Sequence, residues 1–183
     1  MDLIQTLGKR LGWARTFVSL TFVATLLATD RSDRAIFAAV MDAYANASGK
    51  PVRGEKTPAH LRHVPLLLEW FPGGRAIQMI RDPRAIYVSE VRRRSQESGG
   101  AAYRVLRVIP PLLRLALLLQ VTAAWLEAAW RHRSYARRFP DRYLLVRFED
   151  LVTAPEPTLR RVCDFLGVGF EPRLLDQVVV SRG

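Results

Sequence analysis

Six residues, 75–80, constrain this chain more than any other stretch. They form a short apolar run with turn residues on one side, Phe71-Pro72-Gly73-Gly74, and Asp82-Pro83 on the other. A run this short between such signals predicts a buried strand. Asp followed by Pro opens a helix, with Asp as N-cap and Pro as the first helical residue. The chain therefore passes from a strand straight into a helix running to about Gln96. Gly99-Gly100 breaks it.

The same arrangement recurs downstream. The longest predicted helix covers 111–139, apolar early and basic over 131–138, and Asp141-Arg142 turns the chain into a second strand at 143–148. Glu149-Asp150 closes that strand. Thr153-Ala154-Pro155-Glu156 has the form of a capping box. The helix behind it sets Leu159, Val162, Cys163 and Leu166 on one face, and Gly167 ends it. Upstream, residues 3–29 read as one or two helices. Residues 34–47 carry an apolar stripe through Ile36, Val40 and Tyr44, with Ser32 as N-cap and Gly49 as stop. Residues 52–55 read as a third short strand, and 61–70 as a helix restarting at Pro65. Helix alternating with strand predicts an α/β fold, a parallel sheet flanked by crossover helices.

The chain has 183 residues, enough for a single domain, and a formal net charge of +11. The charge favours anionic partners, or reflects a solvated arginine-rich surface. Lysine occurs only at Lys9, Lys50 and Lys56. Cys163 is the only cysteine, which excludes an intrachain disulfide and suits a reducing, cytoplasmic setting. His60, His63 and His132 lack zinc-enzyme spacing, so no metal is expected. Residues 16–29 mimic a signal peptide but lack a small-x-small cleavage site. Residues 115–126 are uncharged yet shorter than the ~20 a membrane span needs. They read as a core helix, with contact to a membrane surface as the lesser alternative.

In an open parallel sheet, ligands bind beyond the carboxyl ends of the strands. Arg81 stands there, directly after one strand and before a helix N-terminus whose free N–H groups favour an anion. Its guanidinium can grip a phosphate with two bonds. Ser89, seven residues after Asp82, projects from nearly the same helical face. Arg81 and Ser89 can share one phosphate; equally, Arg81 can pair with Asp82. Lys56 follows the candidate third strand and is either a group that neutralises a leaving oxygen or a surface lysine. His60 is a candidate general base or a structural histidine. Phe148 can stack on a base or belong to the core. Glu149 and Asp150 can orient a partner, or bind backbone amides or an arginine.

Three stretches, in order, resemble the sulfotransferase family, which transfers a sulfuryl group from PAPS (3′-phosphoadenylyl sulfate) to a hydroxyl or amine. Gly54-Glu55-Lys56-Thr57-Pro58 is similar to the family's Glu-Lys-Thr-Pro segment. Residues 79–89, with Arg81 and Ser89 eight apart, resemble its 3′-phosphate motif. Arg147-Phe148-Glu149-Asp150-Leu151-Val152, with Cys163-Asp164-Phe165-Leu166-Gly167, resembles its Tyr-Glu-Asp-Leu strand and terminal helix. The resemblance covers about residues 50–172 and divides the chain into a helical region (1–49), a PAPS-binding core (50–172) and a tail (173–183).

The resemblance implies a P-loop-NTPase-like sulfotransferase core. It implies that Arg81 and Ser89 bind the 3′-phosphate of PAPS or PAP, that Lys56 stabilises the bridging oxygen and that Phe148 stands where the family often stacks a tyrosine on adenine. His60 becomes a candidate base. Transfer would be an in-line displacement that rests on positioning and charge, with no metal. The family's first strand and Gly-rich phosphate loop have no counterpart upstream of Arg31, so the chain reads as truncated. Two other readings stay open: a non-catalytic remnant that retains nucleotide or partner binding, and a basic protein using 131–138 on nucleic acid or membrane. The first reading expects no nucleic-acid partner.

Overall fold

The computed structural model describes residues 30, 32–96 and 110–176. The chain divides into two compact units, Met1–Pro58 and Ala59–Gly183.

In the first unit, α1 covers Asp33–Ser48. The Ser32 hydroxyl accepts from the Ala35 amide at 3.2 Å, and Asp30 in turn accepts from the Ser32 amide and hydroxyl. Gly49 ends the helix in the left-handed region at φ 60° and returns its N–H to α1 carbonyls. Both caps agree with the sequence. Residues 53–57 form no strand. Arg53, Gly54 and Glu55 give that segment no apolar side to bury, and Arg53 pairs instead with Asp42 of α1.

A 3₁₀ turn, Pro58–His63, leads into the second unit, and a short helix α2, Val64–Trp70, follows it. Strand β1 (Ala76–Ile80) leads into α3 (Pro83–Gln96). The long helix α4 (Pro110–Arg138) precedes β2 (Tyr143–Arg147). Two helices follow, α5 (Phe148–Thr153) and α6 (Pro155–Leu166). Among the described residues the sheet has two strands, β1 and β2, paired in parallel from Ala76↔Tyr143 to Ile80↔Arg147. The fold is therefore α/β with a parallel sheet, and the described sheet is smaller than the three strands expected.

The packing explains this order. Val146 is buried, and Tyr143 lies with Tyr135 and His132 of α4, ring centroids 5.8 and 5.7 Å away. Leu117 and Val121 of α4, Leu68 of α2 and Cys163 of α6 complete the core. The inner face of the sheet carries a polar knot. Gln78 Nε2 donates to the Ala128 carbonyl at 3.1 Å, and the Tyr143 hydroxyl donates to Gln78 Oε1. His132 Nδ1 lies 3.1 Å from the same hydroxyl oxygen. That hydroxyl's one proton goes to Gln78, so the imidazole donates. Burial pushes the Tyr143 phenol far above its usual range, which keeps it neutral.

Arg142 fixes the entry to β1. Its guanidinium donates to the carbonyls of Leu68, Phe71 and Gly74, the open C-terminal end of α2 and its turn. The outer face of β1 differs from the buried strand expected, because Ile77 and Met79 are exposed. The core-helix expectation for 115–126 holds for one face of α4 only: Leu117 and Val121 are buried, while Leu115, Leu118, Leu119 and Leu126 are exposed. By length and composition α4 is able to cross a membrane. The helices expected within 3–29, the Gly99-Gly100 break and most of the tail lie outside the described residues.

Candidate functional site

Arg81 and Phe148 are the first residues past the ends of β1 and β2. The strands pair with a constant offset, Ile80 opposite Arg147. That register continues beyond the last bridge. The Arg81 guanidinium stands 4.6 Å from the Phe148 ring centroid, and the Asp82 amide donates to Glu149 Oε1 at 2.8 Å. Trp125 of α4 holds the corner from behind, donating Nε1–H to the Arg81 carbonyl at 3.1 Å. Phe148 thus opens α5 instead of ending β2, a shift of one residue from the sequence reading.

The carboxylates at this corner are already engaged. Asp82 caps α3 by accepting from the Arg84 amide at 2.8 Å, and its side chain pairs with the Arg84 guanidinium. These hydrogen bonds lower the Asp82 carboxyl to about 2. Glu149 is lowered by the Asp82 amide bond, and Asp150 lies 3.7 Å from Arg147. Arg81 therefore does not pair with Asp82, and among the described residues no carboxylate pairs with its guanidinium. A guanidinium over a ring, with no carboxylate on it, has N–H donors that can grip an oxyanion with two bonds.

One expectation is corrected here. The amides at the start of α3 are not open to an anion: Asp82 N–H goes to Glu149, Pro83 has none, Arg84 N–H goes to Asp82, and Ile86 N–H goes to the Asp82 carbonyl. What this corner offers an anion is the Arg81 side chain rather than the helix end. Ser89 is exposed, six residues along α3 from Pro83, about 9 Å in helical rise.

His60 lies on another element of the second unit. His60 is half-buried in the 3₁₀ turn, its ring edge-on to His63 at 6.4 Å. That turn is tied to α4 twice. The Tyr135 hydroxyl donates to the Leu61 carbonyl at 2.9 Å, and Arg62 makes two 2.8 Å bonds to Glu127. Lys56 belongs to the first unit, on the exposed segment after α1. The structure thus brings together Arg81 and Phe148, with Ser89 on the adjoining helix. Glu149 takes the backbone-amide role open to it from sequence, with Asp82 as the partner, and Trp125 joins the site without having been assigned to it. The offset between the strands, known only once they pair, is the signal that finds Glu149.

Among the described residues, a guanidinium paired with no carboxylate thus stands at the carboxyl ends of two parallel strands, where α/β proteins hold their ligands. Residues 16–172 match the profile of the sulfotransferase family, and the chain belongs to that family. It is 33% identical over 125 residues to omega-hydroxy-beta-dihydromenaquinone-9 sulfotransferase Stf3 of Mycobacterium bovis and of Mycobacterium tuberculosis, covering 65% of this chain and 30% of theirs. It is 31% identical over 110 residues to carbohydrate sulfotransferase 1 of Danio rerio, covering 57% of this chain and 25% of that protein. The chain therefore spans less than a third of the length of these relatives. Among solved structures, the sulfotransferase domain from the curacin biosynthetic pathway aligns with 78% of this chain and 46% of its own, at 24% identity and a TM-score of 0.49.

Proposed function

We propose that this chain carries the nucleotide-phosphate end of a PAPS site in a sulfotransferase whose acceptor is a hydroxyl, or an amine. One observation carries the reading: Arg81 is held at the strand ends by Phe148 and Trp125, and among the described residues no carboxylate pairs with it. A charge fixed in that way fits a ribose 3′-phosphate. Arg81 and the Ser89 hydroxyl bind it in this reading. Phe148 lies against adenine with the ring face that Arg81 does not cover. Lys56 supplies positive charge to the leaving oxygen and His60 accepts the acceptor's proton. PAPS, when bound, supplies the sulfuryl group. The mycobacterial relatives are named for a hydroxylated dihydromenaquinone and the fish relative for carbohydrate. Hydroxyl acceptors suit both names. Placement in the cytoplasm fits the single, buried, unbridged Cys163.

A second reading, nucleotide binding without turnover, is favoured by the internal use of the α3 amides. Calorimetry with PAP tests the shared part. Saturable binding that weakens at least about tenfold in Arg81→Ala supports the site. No heat at millimolar PAP sinks both readings. PAP binding with no sulfuryl transfer to any hydroxyl acceptor leaves the second alone.

A further inference from the structure

One side of α4 carries a line of exposed apolar side chains that the described residues leave uncovered. Leu112, Leu115, Leu119, Leu126 and Trp130 are spaced by three, four, seven and four residues, and each is 47–66% exposed. These steps place them on one side of the helix over about 27 Å. The same steps continue to Arg133 and Arg137, both exposed. One line along the helix therefore reads leucines, then tryptophan, then two arginines.

We propose that this stripe docks the chain onto an anionic lipid surface. The leucines enter the acyl boundary, Trp130 sits at the level of the headgroups and Arg133 and Arg137 meet lipid phosphates. Tryptophan favours that interface, and arginine stems lie along apolar surface while their heads stay wet. Binding then combines buried apolar area with attraction to anionic headgroups. The net charge of +11 acts in the same direction. α4 lies on the membrane and does not cross it, because its opposite face is committed to the fold. Leu117 is 2% exposed and Val121 8%, Trp125 bonds to Arg81, and Tyr135 bonds to Leu61. A second copy of the chain suits the stripe less well. Parallel pairing faces Arg133 and Arg137 with themselves, and antiparallel pairing buries them against leucine.

Co-sedimentation of the whole chain with vesicles tests the proposal. Vesicles of phosphatidylcholine with 30% phosphatidylglycerol are compared with phosphatidylcholine alone. The chain is expected on the anionic vesicles and much less on the neutral ones. Arg133→Gln with Arg137→Gln weakens binding on the order of tenfold. Leu119→Gln with Leu126→Gln weakens it roughly a hundredfold. Far-UV circular dichroism checks that each pair still folds, and the arginine pair decides if the leucine pair does not. Absence from the anionic vesicles, or equal binding by the wild type and the arginine pair, overturns the proposal. So does a concentration-dependent dimer in sedimentation equilibrium that the leucine pair abolishes, since the stripe then belongs to a second copy.

Discussion

The backbone N–H of Asp82 donates to the carboxylate of Glu149, 67 residues further along the chain, at 2.8 Å. This bond extends the pairing of β1 with β2 past the strand ends and locks Arg81 and Phe148 into adjacent positions. It also gives Glu149 a positioning role at the site.

Replacing Glu149 tests that role. Glu149→Ala leaves the Asp82 amide without its acceptor and is expected to lower the unfolding free energy by about 1 kcal/mol. It also weakens PAP binding by loosening the corner. Glu149→Gln keeps an acceptor oxygen and restores most of both. Urea denaturation and calorimetry on the two variants check this; equal loss in both contradicts it.

The stacked guanidinium leads to a separate expectation. Arg81→Lys keeps the charge but loses the planar fork and the guanidinium's contact with the Phe148 ring. It should recover little of the affinity lost in Arg81→Ala, whereas Phe148→Tyr should bind PAP about as well as the wild type. Calorimetric affinities for the three variants decide this.

Gly74 turns the chain from α2 into β1, and a Cβ there would stand 2.9 Å from the Phe71 carbonyl oxygen. That oxygen already accepts from the Gly74 amide and from Arg142. Gly74→Ala is expected to cost about 1–3 kcal/mol, read as a lower urea midpoint with an unchanged slope.

In the polar knot, Tyr143→Phe leaves buried Gln78 Oε1 and His132 Nδ1–H without their shared partner. The expected cost is about 1–3 kcal/mol. Gln78→Leu combined with Tyr143→Phe should be less harmful than the sum of the single changes. A double-mutant cycle in urea measures the difference.

Glu127 is held to about 2 by its bonds to Arg62 and Arg131. Its folded value lies below the ordinary carboxylate value, about 4.3. Its contribution to stability is therefore complete above that value and is lost as pH falls toward 2. Glu127→Gln should lose that contribution at pH 7, a modest one for so exposed a pair, and converge with the wild type as pH falls toward 2, which flattens the fall over that window. Acid titrations of thermal midpoints check the slope.

The sequence made the strands legible because each is a short apolar run between turn residues, and both appear within a residue of the expected place. It marked helix ends where one residue does the work locally, as at Ser32, Gly49 and Gly167. It misplaced features decided by competition or by pairing. The capping box at Thr153 does not form, because the Thr153 hydroxyl bonds back to the Glu149 carbonyl and Ala154 becomes the N-cap of α6. Arg81 was visible as a candidate. Its freedom from Asp82 was not, since that depends on Arg84 taking the carboxylate first. Glu149 was legible as a residue that binds a backbone amide, but the amide's identity was not, because only the register of two strands far apart in sequence brings it to Asp82.

Isothermal titration of the wild-type chain with PAP and with adenosine 5′-monophosphate, which lacks the 3′-phosphate, bears most directly on the role given to Arg81. Binding of PAP at least about tenfold tighter, with the preference abolished in Arg81→Ala, is the predicted result. Equal affinity for the two nucleotides, or a preference that survives Arg81→Ala, would contradict it.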